Sequence, residues 1–378
     1  FNQIGIPERR GEEVSRYGLQ WLAEHHREPF FLFLHYYDPH ACYDPPVPFK
    51  PTSASDSASL YAAEISYTDA CIGQVIDQLK RLGIYDSTLI IVTSDHGEAL
   101  GGHREDTHSY FIYNETLKVP LVIKPPGQHR PRQIDDLVGI VDILPTICHL
   151  IGIPVPPQVV GQDLSPYLTN STDNPEERSY YCESWQPTNI NCNSLTGILT
   201  KRWKYIQTTR PELYDLVADP RESNNLVATD PEQTRILADR LTRMLAEQTR
   251  AGADNRLALD ESARQRLESL GYRGGGSTGH APSRSRDDPK DFIDFQMTYA
   301  KLGFLTHQEE YIEAEELCKT LIGQRPDVSG LYLYRGIMAM GQQDMARAAA
   351  HFSKALELSP DDLQSHYNLG VSLSSLGR

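Results

Sequence analysis

The sequence predicts an α/β domain with a mixed, mostly parallel sheet flanked by helices, then a small antiparallel sheet, then an all-α array of repeats. Three observations predict it. Two short apolar runs, Phe30–Leu34 and Leu89–Thr93, read as strands buried on both faces, with one long helical pattern between them. From Tyr180 the pattern turns to hairpin-like alternation. After Pro289 a 34-residue period sets in, with Pro326-Asp327 recurring as Pro360-Asp361.

In chain order, Glu12 to His25 is predicted as a short amphipathic helix whose apolar set is Val14, Tyr17, Leu19, Trp21 and Leu22. The run Phe30–Leu34 then delivers His35 through His40 to a strand end, and Asp38-Pro39 and Asp44-Pro45-Pro46 supply turn chemistry. Leu60 to Leu82 is predicted as one helix, with Ala63, Ile65, Ala70, Ile72, Val75, Ile76 and Leu79 inside and Gly83 ending it. Strand, helix and strand in that order form a right-handed crossover unit. Val119–Ile123 starts another short strand. Leu195–Leu199 and Trp203–Ile206 are predicted as a hairpin, with Thr200-Lys201-Arg202 as its turn and Lys201, Arg202 and Lys204 at a solvated tip. Pro231 to Gln248 and Leu257 to Leu270 are predicted helices, and the Gly/Ser/Arg-rich stretch from Gly274 to Asp288 is a linker by composition.

The chain has 378 residues, which is enough for two or three domains. Its formal net charge of −15 and lack of a long basic run argue against a nucleic-acid partner. An acidic protein acting on an anion must gather positive charge locally, through a metal and a few cationic side chains. Six Cys without a Cys-x-x-Cys pair argue against a structural zinc site or a dense disulfide framework. Cys182 and Cys192 are read as free thiols, with pairing across a hairpin as the alternative. No stretch has the apolar length of a membrane span. The chain opens on Phe1 and ends on Arg378 inside a repeat, and is read as part of a longer protein.

The chemistry-bearing stretch is Thr93-Ser94-Asp95-His96-Gly97-Glu98. Asp95 and His96 sit where the strand ends, the edge at which open α/β sheets gather their ligands. One carboxylate and one imidazole side by side are metal ligands. A polar loop follows, Gly101 to His108, with two more histidines, His103 and His108.

Asp95-His96-Gly97-Glu98, with Leu100-Gly101, His103 and His108 downstream, resembles the metal-binding segment of type I sulfatases, in the alkaline phosphatase superfamily. The resemblance recurs in order: His35-Tyr36-Tyr37-Asp38-Pro39-His40, the helix Tyr61 to Gly73, Asp142–Thr146, and Leu213-Tyr214-Asp215-Leu216 with Asp219-Pro220, Glu222 and Asn225-Leu226. It covers residues 1–230; helical periodicity, composition and the 34-residue period then divide the rest into a helical extension at 231–273, a linker at 274–289 and repeats at 290–378. It implies an alkaline phosphatase-like fold and a sulfuric ester hydrolase acting on a sulfated small molecule or glycan. It implies a divalent metal, favouring Ca²⁺, with Mn²⁺ or Fe²⁺ left open by His96. In site terms it implies Asp95 and His96 as metal ligands, and His40 and His108 as groups that bind sulfate oxygens and protonate the leaving group. His103 has a supporting role. Many members carry Lys where this chain has His108.

The family's nucleophile is a formylglycine made from Cys or Ser in a Cys/Ser-x-Pro/Ala-x-Arg motif. None of the six Cys here lies in such a motif, and the family's first metal-binding Asp pair is absent too. Both are expected in an N-terminal segment preceding this chain, which by itself is expected to be inactive. The resemblance favours a periplasmic or extracellular site. A phosphodiesterase or phosphonate monoester hydrolase of the same superfamily, or a non-catalytic scaffold, are the alternatives.

In the repeat region Tyr332, Gly336, Ala339, Ala348, Phe352, Ala355 and Pro360 fall on the tetratricopeptide template. The preceding unit keeps Ala314 and Pro326, and the next begins with Tyr367, Leu369 and Gly370. That resemblance implies a groove for a protein or peptide partner, with no chemistry of its own.

Overall fold

The computed structural model describes residues 9–53, 56–127, 130–168, 178–254 and 287–377. The predicted helix at Leu257–Leu270 and nearly all of the predicted linker lie outside them. The chain divides into two compact units, Ile4–Leu100 with Lys118–Arg178, and Gly101–Leu117 with Ser179–Arg378. No helix among the described residues is long and apolar enough to cross a membrane.

The first unit is built on two helices. α1 (Gly11–His25) buries Leu22, as predicted, together with the small residues Gly11, Ser15 and Gly18, whereas Tyr17 of the predicted apolar set is exposed. The small face permits close approach: a Cβ on Gly18 would sit 3.0 Å from Leu34. α2 (Ser57–Arg81) starts where Asp56 Oδ1 accepts the Ser59 N–H at 2.8 Å, and stops at Gly83, whose φ of +71° no L side chain adopts easily. Its buried face is Ala63, Glu64, Tyr67, Cys71, Val75 and Leu79, whereas Ile65, predicted inside, is exposed. Ala63, Val75 and Leu79 are inside as predicted, and what the apolar pattern missed is that Glu64 and Tyr67, which have polar partners there, are buried and Ile65 is not.

The predicted mostly parallel sheet is corrected here. β1 (Ile90–Thr93) pairs antiparallel with β2 (Leu121–Lys124), Ile91 opposite Ile123. The run Phe30–Leu34 enters no sheet among the described residues. Phe30, Leu32 and Leu34 pack beside Leu22, Val75 and Leu79, while Phe31 and Phe33 are 81% and 74% exposed. Alternate residues of an extended segment face opposite ways, and only one face of this run is covered by the described residues. The stretch Asp142–Thr146 is structural. Asp142, fully buried, accepts the N–H groups of Gly139 and Gln162 at the start of α3 (Ile143–Ile151), and Thr146 Oγ1 accepts that of Leu164.

The second unit carries the predicted small antiparallel sheet, in the order β3 (Tyr180–Ser184), β4 (Leu195–Leu199), β5 (Trp203–Gln207), β6 (Glu212–Asp215). Ile198, Tyr205 and Leu213 pack with Leu237 and Leu241 of α4 (Pro231–Asp254). Cys182 and Cys192 are free, and burial pushes both thiols up to about 11. Five further helices follow: α5 (Ile293–His307), α6 (Tyr311–Gln324), α7 (Ser329–Gly341), α8 (Met345–Leu358) and α9 (Leu363–Ser375). α6 and α8 start 34 residues apart, as do α7 and α9. Between α7 and α8 only a glycine fits: a Cβ on Gly336 would stand 2.4 Å from the fully buried ring of Phe352.

Candidate active site

Each candidate residue is set by its local chain. Past β1, Ser94 Oγ donates to the His96 carbonyl at 2.7 Å, and Asp95 Oδ1 accepts the His96 N–H at 3.0 Å. This turn brings the two side chains together. His96 Nδ1 lies 2.9 Å from the Gly97 carbonyl, so a neutral ring carries its proton there. The lone pair is then on Nε2, 3.8 Å from Asp95 Oδ1. A nitrogen and an oxygen at that spacing on solvent-facing side chains suit two adjacent positions around one divalent ion. Among the described residues no third His, Cys, Asp or Glu joins them. The pair has the donor chemistry for part of a divalent ion's ligand shell.

His40 lies in the same unit. Its ring stacks on Tyr37 with centroids 4.4 Å apart, and its Nδ1 is 2.6 Å from the Ala41 carbonyl. Arg10 holds the loop down from 3.6 Å to Asp38, 3.6 Å to Glu64 and 3.2 Å to Asp44. Glu64 Oε1 accepts the Asp44 N–H at 2.8 Å. Burial raises the Asp38 carboxyl and pushes that of Glu64 up to about 7, against the pull of Arg10. Tyr43 lies beside Glu98, and burial, with that carboxylate next, raises its hydroxyl. The loop bearing His40 and the segment bearing Asp95 and His96 therefore meet at Tyr43 and Glu98.

His103 and His108 belong to the second unit. His103 stacks on Tyr113 with centroids 3.6 Å apart, its Nδ1 is 2.9 Å from Glu115 Oε2, and its Nε2 is 3.1 Å from the Glu222 carbonyl. Both ring nitrogens are engaged, which suits a supporting role. His108 is half-buried on a loop closed by Glu105, whose two oxygens accept the N–H groups of Tyr110 and Phe111 at 2.7 and 3.1 Å.

Several residues here escaped the sequence. Lys204, predicted at a solvated hairpin tip, is fully buried, 2.7 Å from Glu222 Oε1 and 2.8 Å from Asn114 Oδ1. Strand alternation turns it inward although its neighbours at the turn stay out. Arg202 pairs instead with Asp215 and holds that carboxyl below its ordinary range. Arg10 and Glu105 gave no signal, since each is defined by partners distant in sequence or by backbone it caps. The stretch Leu213–Leu226 works as turn chemistry: Asn225 Oδ1 accepts the Leu213 and Val227 N–H groups, and Asp219 Oδ2 those of Ser223 and Asn224.

Residues 9–153 match the sulfatase family model, and residues 106–251 match the model named N-sulphoglucosamine sulphohydrolase, C-terminal. Arylsulfatase K of Bos taurus is 34% identical over 192 residues, 48% of this chain and 35% of that protein. Endo-4-O-sulfatase of Bacteroides thetaiotaomicron is 29% identical over 198 residues, 46% of this chain and 38% of that protein. The chain thus spans little more than a third of the length of these curated relatives. The phosphonate monoester hydrolase of Agrobacterium radiobacter superposes with a TM-score of 0.53 at 22% identity, over 64% of this chain and 62% of that one, a likeness of fold. Residues 9–251 are thus similar in sequence to sulfatases, and the likeness to solved structures is one of fold.

Proposed function

We propose that this chain is part of a metal-dependent sulfuric ester hydrolase that removes sulfate from a sulfated carbohydrate or other organic sulfate. The observation that carries this is the pair Asp95 and His96, which sets a carboxylate oxygen 3.8 Å from an imidazole nitrogen just past a strand end, inside the stretch that matches the sulfatase family model. The names of the relatives, an arylsulfatase and an endo-sulfatase, support a sulfated substrate.

Asp95 and His96 would hold the divalent metal, Ca²⁺ by the family resemblance, with Mn²⁺ or Fe²⁺ compatible with a nitrogen ligand. The bound metal would supply a Lewis acid against the sulfate oxygens. This chain's own residues then bind and move protons. His40 and His108 donate to sulfate oxygens and to the leaving oxygen, whose negative charge grows as the S–O bond breaks. His103, engaged at both nitrogens, holds its loop. The nucleophile, a formylglycine, would come from residues outside this chain. The helices after Asp288 are tetratricopeptide repeats that take a protein or peptide partner, supported by the 34-residue recurrence of their starts.

The test is Asp95→Ala in the protein that contains this chain. Metal content and hydrolysis of an aryl sulfate should both fall to background, with a phenyl phosphonate assayed alongside to fix the ester class. Normal metal content and turnover in that variant would sink the assignment.

A further inference from the structure

The helical tail begins by completing the subdomain it follows. Lys290, on the turn that enters α5, places Nζ 2.8 Å from Glu212 Oε1. Glu212 is 2% exposed on β6, and its other oxygen accepts the hydroxyls of Tyr113, at 2.8 Å, and Tyr214. The Tyr113 ring in turn lies flat on His103. A run of direct contacts therefore leads from a tail lysine, through a buried carboxylate, to a histidine of the loop Gly101–Leu117.

Two further ties run beside it. The buried hydroxyl of Tyr110 donates to the Pro289 carbonyl at 3.0 Å, and Arg104 pairs with Asp294 of α5. The Arg104 pair is exposed and worth little by itself. The Lys290–Glu212 contact differs, because a buried carboxylate stripped of its cation is strongly unfavourable. Beneath both, Tyr110 and Ile112 share one buried cluster with Ile293 and Phe295 of α5. The expected boundary between linker and repeats, at residues 289 and 290, falls inside this bonded segment.

We propose that the segment Asp288–Asp294 is a positioning element for the loop Gly101–Leu117, with Lys290 acting through Glu212 and Tyr113 on His103. The start of the tail then sets where His103 and His108 stand. A module that only tethers a partner needs none of these contacts, and a buried carboxylate that depends on a lysine of the tail is a costly way to join two independent domains. The catalytic half of this inference rests on the hydrolase function proposed above.

The test is Lys290→Met in the protein that contains this chain, read by amide hydrogen exchange and by steady-state hydrolysis of an aryl sulfate. Exchange in peptides from 101–117 should quicken about ten-fold while helix α2 exchanges as before. A displaced donor acts after binding, so kcat should fall about ten-fold with KM little changed. Lys290→Arg should restore both. Should Lys290→Met fail to fold, Glu212→Gln combined with it removes the orphaned charge and carries the same measurements. Unchanged exchange in 101–117, or faster exchange with unchanged kcat, would overturn the inference. Faster exchange in a protein that hydrolyses no sulfate even as wild type would support the positioning and overturn only the proposed function.

Discussion

The loop that carries His40 and the loop that carries His108 are both held by buried carboxylates, but the two sets are satisfied differently. Glu64 accepts one backbone N–H, and its other oxygen has no hydrogen-bond partner. Asp38, with a side chain 1% exposed, lacks hydrogen bonds at both oxygens, and the cation they share, Arg10, is half in solvent at 3.6 Å from each. In the other loop Glu105 accepts two backbone N–H groups, and Glu222 takes the Asn114 N–H at 2.6 Å on one oxygen while the other, without a hydrogen bond, is ion-paired with a fully buried Lys204 at 2.7 Å. Burial is equal, but the cation stands closer and deeper in the second loop, and Glu105 has both oxygens bonded. Where donors are scarce a proton fills the gap, and the Glu64 carboxyl is pushed up to about 7.

The sharpest way to break this contrast is Lys204→Met. It leaves Glu222 buried without its cation, and should cost about 3–5 kcal/mol, read from the urea midpoint. Pairing it with Glu222→Gln should recover much of that loss. A single-variant loss below about 1 kcal/mol would mean that the Asn114 N–H suffices, and donor supply would then fail to separate the loops.

The next effect depends on pH. Glu64 is raised in the fold from 4.5 to about 7, so the folded state holds a proton the unfolded chain has released. Its contribution is fully present below about pH 4.5, and is lost as pH rises towards 7 at about 1.4 kcal/mol per unit. Glu64→Gln should flatten that part of the stability–pH curve and leave the variant the more stable protein at pH 8. An unchanged slope would show that the proton sits elsewhere. The smallest effect is expected for Arg10→Ala, because Arg10 is half exposed: under about 1 kcal/mol at pH 5. Since Arg10 pulls the Glu64 carboxyl down, its removal should move the same transition to higher pH. A transition displaced to lower pH would contradict the assigned cause.

The sequence by itself determined the pieces whose cause is local. The helix predicted at Leu60–Leu82 follows from its apolar periodicity and its glycine stop, the hairpin at Leu195–Gln207 from alternation around a polar turn, and the later helices from a 34-residue period. Asp95 and His96 were legible because adjacent residues past an apolar run need no distant partner to be brought together. Tertiary structure alone decided what depends on which residues meet across the chain. It turned Lys204 inward onto Glu222, buried Glu64 and Tyr67 on α2 while leaving Ile65 exposed, and paired β1 antiparallel with β2. It also joined Lys290 to Glu212. Each of these is a long-range pairing of charge, hydrogen bond or strand. One-dimensional apolar patterning carries no record of such pairings, because a buried polar group is recognised only by the partner that satisfies it.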